Sequence, residues 1–361
     1  MIRNVLFALT AGISMTAAAQ EEVRIYNWSD YVGPDTISDF EAQTGIKVIY
    51  EEFESNERLD EALRTNEAWD VIFPSDNFFA GQMRDGLLSP LNKRKLPNYY
   101  ANLDRAFLAT MQTDLDPGNR YGLPYMWGTT GIAYNIEAVE AVMGSGFEFS
   151  SWTQLFDVNV VRRLQSCGVN FLDSPDEMMP LALLAVGTSP TGYTDAELEQ
   201  ATRLVQRVSR YVTFKLEDFE SDLIEGNTCV TVAWNGDLMA ALDEVDNPAD
   251  FNYVVPEEGS ILWIDMVTIP HNAKNVEAAH TFINYLLEGE VNAKIVNYVA
   301  YPSAVRAATP YIDEEIASNT VIFPSSEERR RLVIPAPDTV EQANRKLAAW
   351  RSIRGADWVA E

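Results

Sequence analysis

Two periodicities alternate along this chain. Val23 and Ile25 begin a β-prone run ending at Trp28, and helical spacing follows over Thr36–Thr44, with Asp35 as N-cap and Gly45 just past the end. Lys47–Phe53 reads as the next strand, 57–65 as a helix, 71–73 as a strand and 80–86 as a helix. This order predicts βαβ units around a mostly parallel sheet, an α/β fold. The stretch 121–135 is extended and long enough to cross between lobes. Thr194-x-x-Glu197 is a capping box, after which Leu198, Ala201, Leu204, Val205 and Val208 recur at helical spacing. Val230–Trp234 reads as a strand ending in the turn signal Asn235-Gly236-Asp237. Beyond it lie a strand at 261–270, an amphipathic helix at 276–287 closed by Gly289, and a C-terminal helix at 340–353. Arg345, Lys346, Arg351 and Arg354 on that last helix read as a solvated face. No repeat or low-complexity tether separates the halves, so crossing strands must join them.

The segment ahead of the first strand has another pattern. Arg3, the apolar stretch from Val5 to Ala11 and the small residues Ala17-Ala18-Ala19 read as a secretory signal peptide over 1–19, with the mature chain starting near Gln20. The apolar stretch is too short for a membrane span, and no later run of about 18 uncharged apolar residues follows, so no membrane insertion is expected. The remaining length, about 340 residues, exceeds a usual single domain and predicts two lobes.

Composition then narrows the partners. With 27 basic and 54 acidic residues the net charge is −27, and loss of Arg3 with the leader makes it one unit more negative. Such a surface repels nucleic acid and anionic membranes; it suits cationic ligands, and it also serves solubility. Cys167 and Cys229 are the only cysteines. In an exported chain an even count favours a disulfide, with two isolated buried thiols as the alternative. His271 and His280 lie far from both in sequence and form no zinc spacing; His280 sits in a helical pattern, on its surface or packed structurally. No metal or other cofactor is implied. The chain has no G-x-S-x-G, Walker A, G-x-G-x-x-G or H-E-x-x-H signature. A secreted hydrolase working through a carboxylate pair has only the abundance of acids behind it.

One association recurs: an aromatic and an acid at the end of an apolar strand. It occurs as Trp28-Ser29-Asp30-Tyr31, as Trp234-Asn-Gly-Asp237 and as Trp263-Ile-Asp265. Strand ends also carry Pro74-Ser75 and Asp173-Ser-Pro-Asp176-Glu177, where capping of the following helix is the alternative role for Asp173 or Asp176. Ligands of open α/β sheets gather outside the carboxyl ends of the strands. Aromatic faces cover methylenes and attract a cation, while a carboxylate neutralises an ammonium, so the clusters suit an organic cation. A surface turn beside an ordinary buried Trp is the plainer reading of the first cluster.

Together, YNWSDY at 26–31, TGIKVIYEEFESNE at 44–57, GLPYMWGTTGIAYN at 122–135, SCGVNFLDSPDE at 166–177 and AWNGD at 233–237 resemble the periplasmic polyamine-binding proteins of ABC importers, the putrescine-binding branch above all. The resemblance implies a two-lobed type II periplasmic binding protein fold that closes on its ligand, and a Cys167–Cys229 disulfide. The lobes would comprise 20–126 plus 264–298, and 127–263 plus 299–361. It further implies Trp28, Trp234, Trp263 and Tyr301 as walls, with Ser29, Asp30, Tyr31 and Ser75 on the first lobe's side. Glu177, Asp237 and Asp265 would receive ammonium groups.

Departures bear on ligand length. Asp30 and Asp237 follow the putrescine type, whereas Trp263 resembles the spermidine type. Asn77 matches neither, and Pro302-Ser303 departs from the family's usual Ala-Asn after Tyr301. The expected protein is no enzyme. It is a periplasmic carrier, monomeric, taking putrescine first, or spermidine or agmatine, and passing it to a membrane permease.

Overall fold

A computed structural model describes residues 20–359; the expected leader, 1–19, lies outside the described residues. Eleven strands run in chain order as β1 Glu22–Trp28, β2 Lys47–Phe53, β3 Val71–Ile72, β4 Leu88–Ser89, β5 Gly122–Asn135, β6 Val169–Phe171, β7 Thr213–Phe214, β8 Val230–Trp234, β9 Phe251–Val254, β10 Ser260–Pro270 and β11 Leu332–Val333. Their spatial order is β2-β1-β3-β10-β5-β8-β6-β7, with β4 and β11 on β10 and β9 on β5. Parallel pairing is strongest on the flanks, where β1 lies between β2 and β3, and β6 between β7 and β8. At the centre β5 and β10 are antiparallel to each other, and each runs antiparallel to the flank it joins. The sheet is therefore mixed rather than mostly parallel.

β5 explains how two lobes share one sheet. Its first half pairs with β10, as in Leu123↔Val267 and Trp127↔Ile264; its second half pairs with β8, from Thr130↔Trp234 to Tyr134↔Val230. It is buried from Gly122 to Tyr134, its central Thr129 and Thr130 included, as a strand covered on both faces is. Ile25, Phe40, Phe73, Tyr125 and Phe282 pack into a core of the first lobe, and Tyr26, Phe53, Leu59, Trp69 and Phe79 into another. Trp152, Phe171, Leu183, Val205, Val232 and Trp350 fill the core of the second lobe. Val299, Tyr301, Ala304, Val305 and Ala308 pack with the first lobe, whereas β11 pairs with β10 at Ser260 and Ile261.

Local chemistry set most element ends. Ser55 caps helix Asn56–Arg64 by accepting from the Arg58 amide, and the Thr194–Glu197 capping box opens helix Asp195–Val208. Gly45 closes helix Thr36–Thr44 in the left-handed conformation, while Asp35 stands at its N-cap without a side-chain cap bond. The structure departs from the sequence reading at several ends. The helix expected at 80–86 starts earlier, as Asp76–Arg84. Asn235-Gly236-Asp237 is the first turn of helix Asn235–Leu242, not a loop. Gly289 opens helix Gly289–Val299 rather than closing Val276–Leu286. Ser174, not Asp173 or Asp176, caps helix Pro175–Ala185.

The C-terminal helix Val340–Arg354 is not uniformly solvated. Burying Trp350 turns one face inward, so Lys346 lies between Asp176 and Asp338 and Arg354 pairs with Asp173, while Arg345 and Arg351 stay exposed. Cys167 and Cys229 form a disulfide that ties the turn before β6 to the start of β8. His280 is buried: its Nε2 accepts from the Asn92 amide at 2.9 Å and its Nδ1 faces the Val276 carbonyl at 2.7 Å, a structural role. Among the described residues no helix is long and apolar enough to cross a membrane.

Candidate ligand cleft

Every site residue singled out in the sequence lines one cleft between the lobes, of about 1530 Å³. That exceeds the roughly 300–1,000 Å³ of most small-molecule sites, so the groove extends beyond any compact ligand. Its chemistry is concentrated at three carboxylates.

Asp265 owes its direction to a β-bulge. The register of β10 against β5 shifts between Ile264 and Met266, and Asp265 bridges instead to Ser75. A bulge re-aims the side chain it carries. The Tyr31 hydroxyl donates to Asp265 Oδ2 at 2.6 Å and the Ser75 hydroxyl to Oδ1 at 2.7 Å. Ser75 is itself clamped by Asn56, whose Nδ2 donates to Oγ and whose Oδ1 accepts the Ser75 amide, each at 3.0 Å. Burial outweighs these donors and pushes the Asp265 carboxyl up to about 6.

Asp237 projects from the first turn of its helix. Tyr301 donates its hydroxyl to Oδ1 at 2.7 Å and accepts the Asp237 amide at 3.1 Å, yet burial still pushes the carboxyl up to about 7. A Cβ on Gly236 would stand 2.3 Å from the Tyr301 ring, so the ring reaches Asp237 only because this residue has no side chain. Glu177 accepts from the Thr130 hydroxyl at 2.7 Å and is likewise raised, to about 7, by burial.

Three indoles form the walls. Trp28 packs against Phe53 with centroids 4.6 Å apart, Trp234 against Phe219 at 5.6 Å, and Trp263 against Tyr301 at 5.1 Å. Trp263 lies over Gly128, where a Cβ would come within 2.2 Å of the ring. The Nε1 atoms of Trp28 and Trp263 are buried without a partner.

The remaining residues take different positions around the cleft. Ser29 donates to Glu54 at 2.8 Å. Asp30 is exposed at the rim, in a left-handed turn with φ 51°. Tyr31 and Tyr301 are almost wholly buried and stand behind Asp265 and Asp237 as donors. Sequence reasoning missed Asp76, Glu57 and Glu220, all cleft-lining acids raised by burial, Asp76 to about 8 and Glu57 to about 7. It also missed Lys346 and the interlobe hydrogen bond from Asn77 to Asp176 at 3.2 Å. For Asp76 a signal existed: it directly follows Ser75 at the end of β3.

Two lobes on shared central strands, enclosing a cleft lined by indoles and buried carboxylates, have the architecture of a solute-binding protein of the periplasmic type. The chain belongs to the bacterial extracellular solute-binding proteins, whose family model matches residues 35–324. It is 38% identical to the putrescine-binding periplasmic protein of Pseudomonas aeruginosa over 97% of both chains. To the putrescine-binding periplasmic protein of Escherichia coli it is 35% identical over 98% of this chain and 96% of that one. Among solved structures, the spermidine/putrescine ABC transporter substrate-binding protein of Streptococcus pneumoniae matches with a TM-score of 0.78 and 25% identity, covering 92% of this chain and 98% of the other. Membership in a solute-binding family, not a hydrolytic one, removes the carboxylate-pair enzyme.

Proposed function

We propose that this protein is a periplasmic carrier that captures a linear polyamine, putrescine first, between its lobes and delivers it to the membrane permease of an ABC importer. One observation carries the reading. Asp237, Asp265 and Glu177 are held by hydroxyl donors, and among the described residues none pairs with a lysine or arginine. A buried carboxylate without a counter-charge is costly. A dication supplies the missing charge, and Trp28, Trp234 and Trp263 cover its methylenes with faces that attract cations. Ser29, Asp30 and Ser75 belong to the first lobe's side, and Tyr31 and Tyr301 position the acids.

Because the acids and walls come from both lobes, the ligand favours the closed arrangement by its differential affinity for it. The core packing supports counting 299–308 with the first lobe, which leaves β5, β10 and the chain between 308 and 332 as the crossings. The carrier acts as a monomer, presenting both lobes to the permease.

The test is a thermal-shift and calorimetry screen of diamines, triamines, agmatine, amino acids and sugars. Ligands that bind only the folded form raise apparent stability. Polyamines should raise the melting temperature by an amount that grows with the logarithm of their affinity; no response to any polyamine, or a larger one to neutral sugars, refutes the reading.

A further inference from the structure

Ser75 stands at the N-cap of helix Asp76–Arg84, yet its side chain makes no cap bond to that helix. A serine in this place ordinarily accepts from the second or third amide of its helix. Ser55 does so for helix Asn56–Arg64, accepting from the Arg58 amide. At the later helix those amides are served from within: Asp76 Oδ1 accepts from Asn77 at 2.8 Å and Asn77 Oδ1 from Phe78 at 2.9 Å. The Ser75 hydroxyl is released from capping and donates to Asp265 instead.

Asn56 determines that direction. Its Oδ1 accepts the Ser75 amide at 3.0 Å, and a backbone N–H can only donate, so the carboxamide has one orientation. Its Nδ2 then faces the Ser75 hydroxyl and donates to Oγ, also at 3.0 Å. With that lone pair filled, the single hydroxyl proton goes to Asp265 Oδ1 at 2.7 Å, and one lone pair of Oγ remains. Backbone contacts fix the spacing of the pair: Ser75 and Asp265 form an antiparallel bridge, and the Met266 amide donates to the Pro74 carbonyl at 2.8 Å.

We propose that Asn56 is a positioning residue of the ligand site: acting through the Ser75 hydroxyl, it keeps a donor on Asp265 and holds that carboxylate in place for a ligand ammonium. This rests on the polyamine reading above. Without the Asn56 amide the hydroxyl can turn its proton elsewhere, and Asp265 keeps only Tyr31 as a fixed donor. A carboxylate at position 56 is worse, because it accepts the hydroxyl proton in competition with Asp265. By charge alone, a further acid beside a cationic ligand would tighten binding, so the two accounts predict opposite signs.

The experiment is titration calorimetry with putrescine at pH 8 and pH 6, with thermal melts of each protein. It compares wild type, Asn56→Ala, Asn56→Asp, Ser75→Ala and the double variant Asn56→Ala with Ser75→Ala. Asn56→Ala should weaken binding about three- to tenfold at pH 8, the range of one net hydrogen bond. Asn56→Asp should weaken it further while melting near the wild-type temperature, since an acid in the first turn suits the helix dipole. In the Ser75→Ala background, Asn56→Ala should change Kd by less than about twofold. The deficit of Asn56→Ala should widen several-fold at pH 6, because a carboxyl with a weakened donor keeps its proton to higher pH. The titratable groups facing Asp265, namely Tyr31, Tyr125, Tyr301, Asp76 and Asp237, are the same in both proteins, and a merely structural Asn56 leaves that ratio flat. A flat ratio, an undiminished effect in the Ser75→Ala background, or tighter binding by Asn56→Asp overturns the assignment of Asn56 and leaves the polyamine reading standing. Absence of putrescine binding by wild-type protein overturns both.

Discussion

Asp265→Asn should push stability and binding in opposite directions. Asp265 is 5% exposed, and burial raises its carboxyl from the ordinary 3.8 to about 6. The folded chain therefore holds the proton more tightly than the unfolded chain, so this residue's stabilising share is complete below pH 3.8 and is lost as pH rises through 6. That rise, from 3.8 to about 6, corresponds to roughly 3 kcal/mol of destabilisation at pH 7.5, at about 1.4 kcal/mol for each tenfold change in proton affinity. Asn removes that charge, but its amide cannot accept from both Tyr31 and Ser75, which offsets part of the gain at about 1 kcal/mol for a lost hydrogen bond. The ligand-free variant should thus be more stable than wild type at pH 7.5, by about 1–2 kcal/mol, with the difference vanishing near pH 4. Removing a buried charge partner costs roughly 2–5 kcal/mol of binding, so polyamine affinity should fall at least about a hundredfold. Urea unfolding at the two pH values and titration calorimetry measure both arms. A variant that binds within threefold of wild type, or is less stable at pH 7.5, refutes the idea that Asp265 is an uncompensated ammonium receptor.

Other changes probe the supports. Tyr301→Phe deletes the hydroxyl that donates to Asp237, and should weaken binding about tenfold or more by calorimetry, since a hydrogen bond to a charged group contributes roughly 1.5–3 kcal/mol. Gly128→Ala drives a methyl into Trp263 and should cost about 1–3 kcal/mol in chemical unfolding and weaken polyamine binding in calorimetry. Cys167→Ser with Cys229→Ser opens a loop spanning 62 residues of separation, and should lower unfolding free energy by up to about 4 kcal/mol in the chain-entropy account, with ligand affinity little changed. Lys346→Met leaves Asp176 and Asp338 without their cation and should destabilise the fold by about 2–4 kcal/mol in urea, because breaking one half of a largely buried pair strands its partners.

What could be read from the sequence followed from local rules. Strand β1, helix Thr36–Thr44 and strand β2 carry clean periodicities and stop signals, and they lie where the pattern put them. The length of the apolar run at 122–135 was enough to predict a strand serving both lobes. The failures were of another kind. Asn235-Gly236-Asp237 has turn composition, but Gly236 is there for the approach of Tyr301, a residue 65 positions on, and the segment is free to begin a helix. Gly289 likewise answers to a neighbour, the Ala307 carbonyl, rather than to the helix before it. The bulge that aims Asp265 leaves no local mark, because it is a register mismatch between two strands distant in sequence.

The same limit governs the charges. Fifty-four acids look alike in a sequence, and only packing divides them into those with a cation and those without. Asp173 takes Arg354 and the indole N–H groups of Trp350 and Trp358, and Asp176 and Asp338 share Lys346, so these acids are spent on docking the C-terminal helix. One residue beyond Asp176, Glu177 meets the neutral Thr130 hydroxyl and Trp234 indole, although Lys346 is near enough to lower its pKa. Committing the nearby lysine to two other carboxylates keeps it from neutralising Glu177 outright. The charge deficit at Glu177 is thus sustained by the ion pairs beside it in the same cleft, and it is this deficit that the proposed cationic ligand would complete.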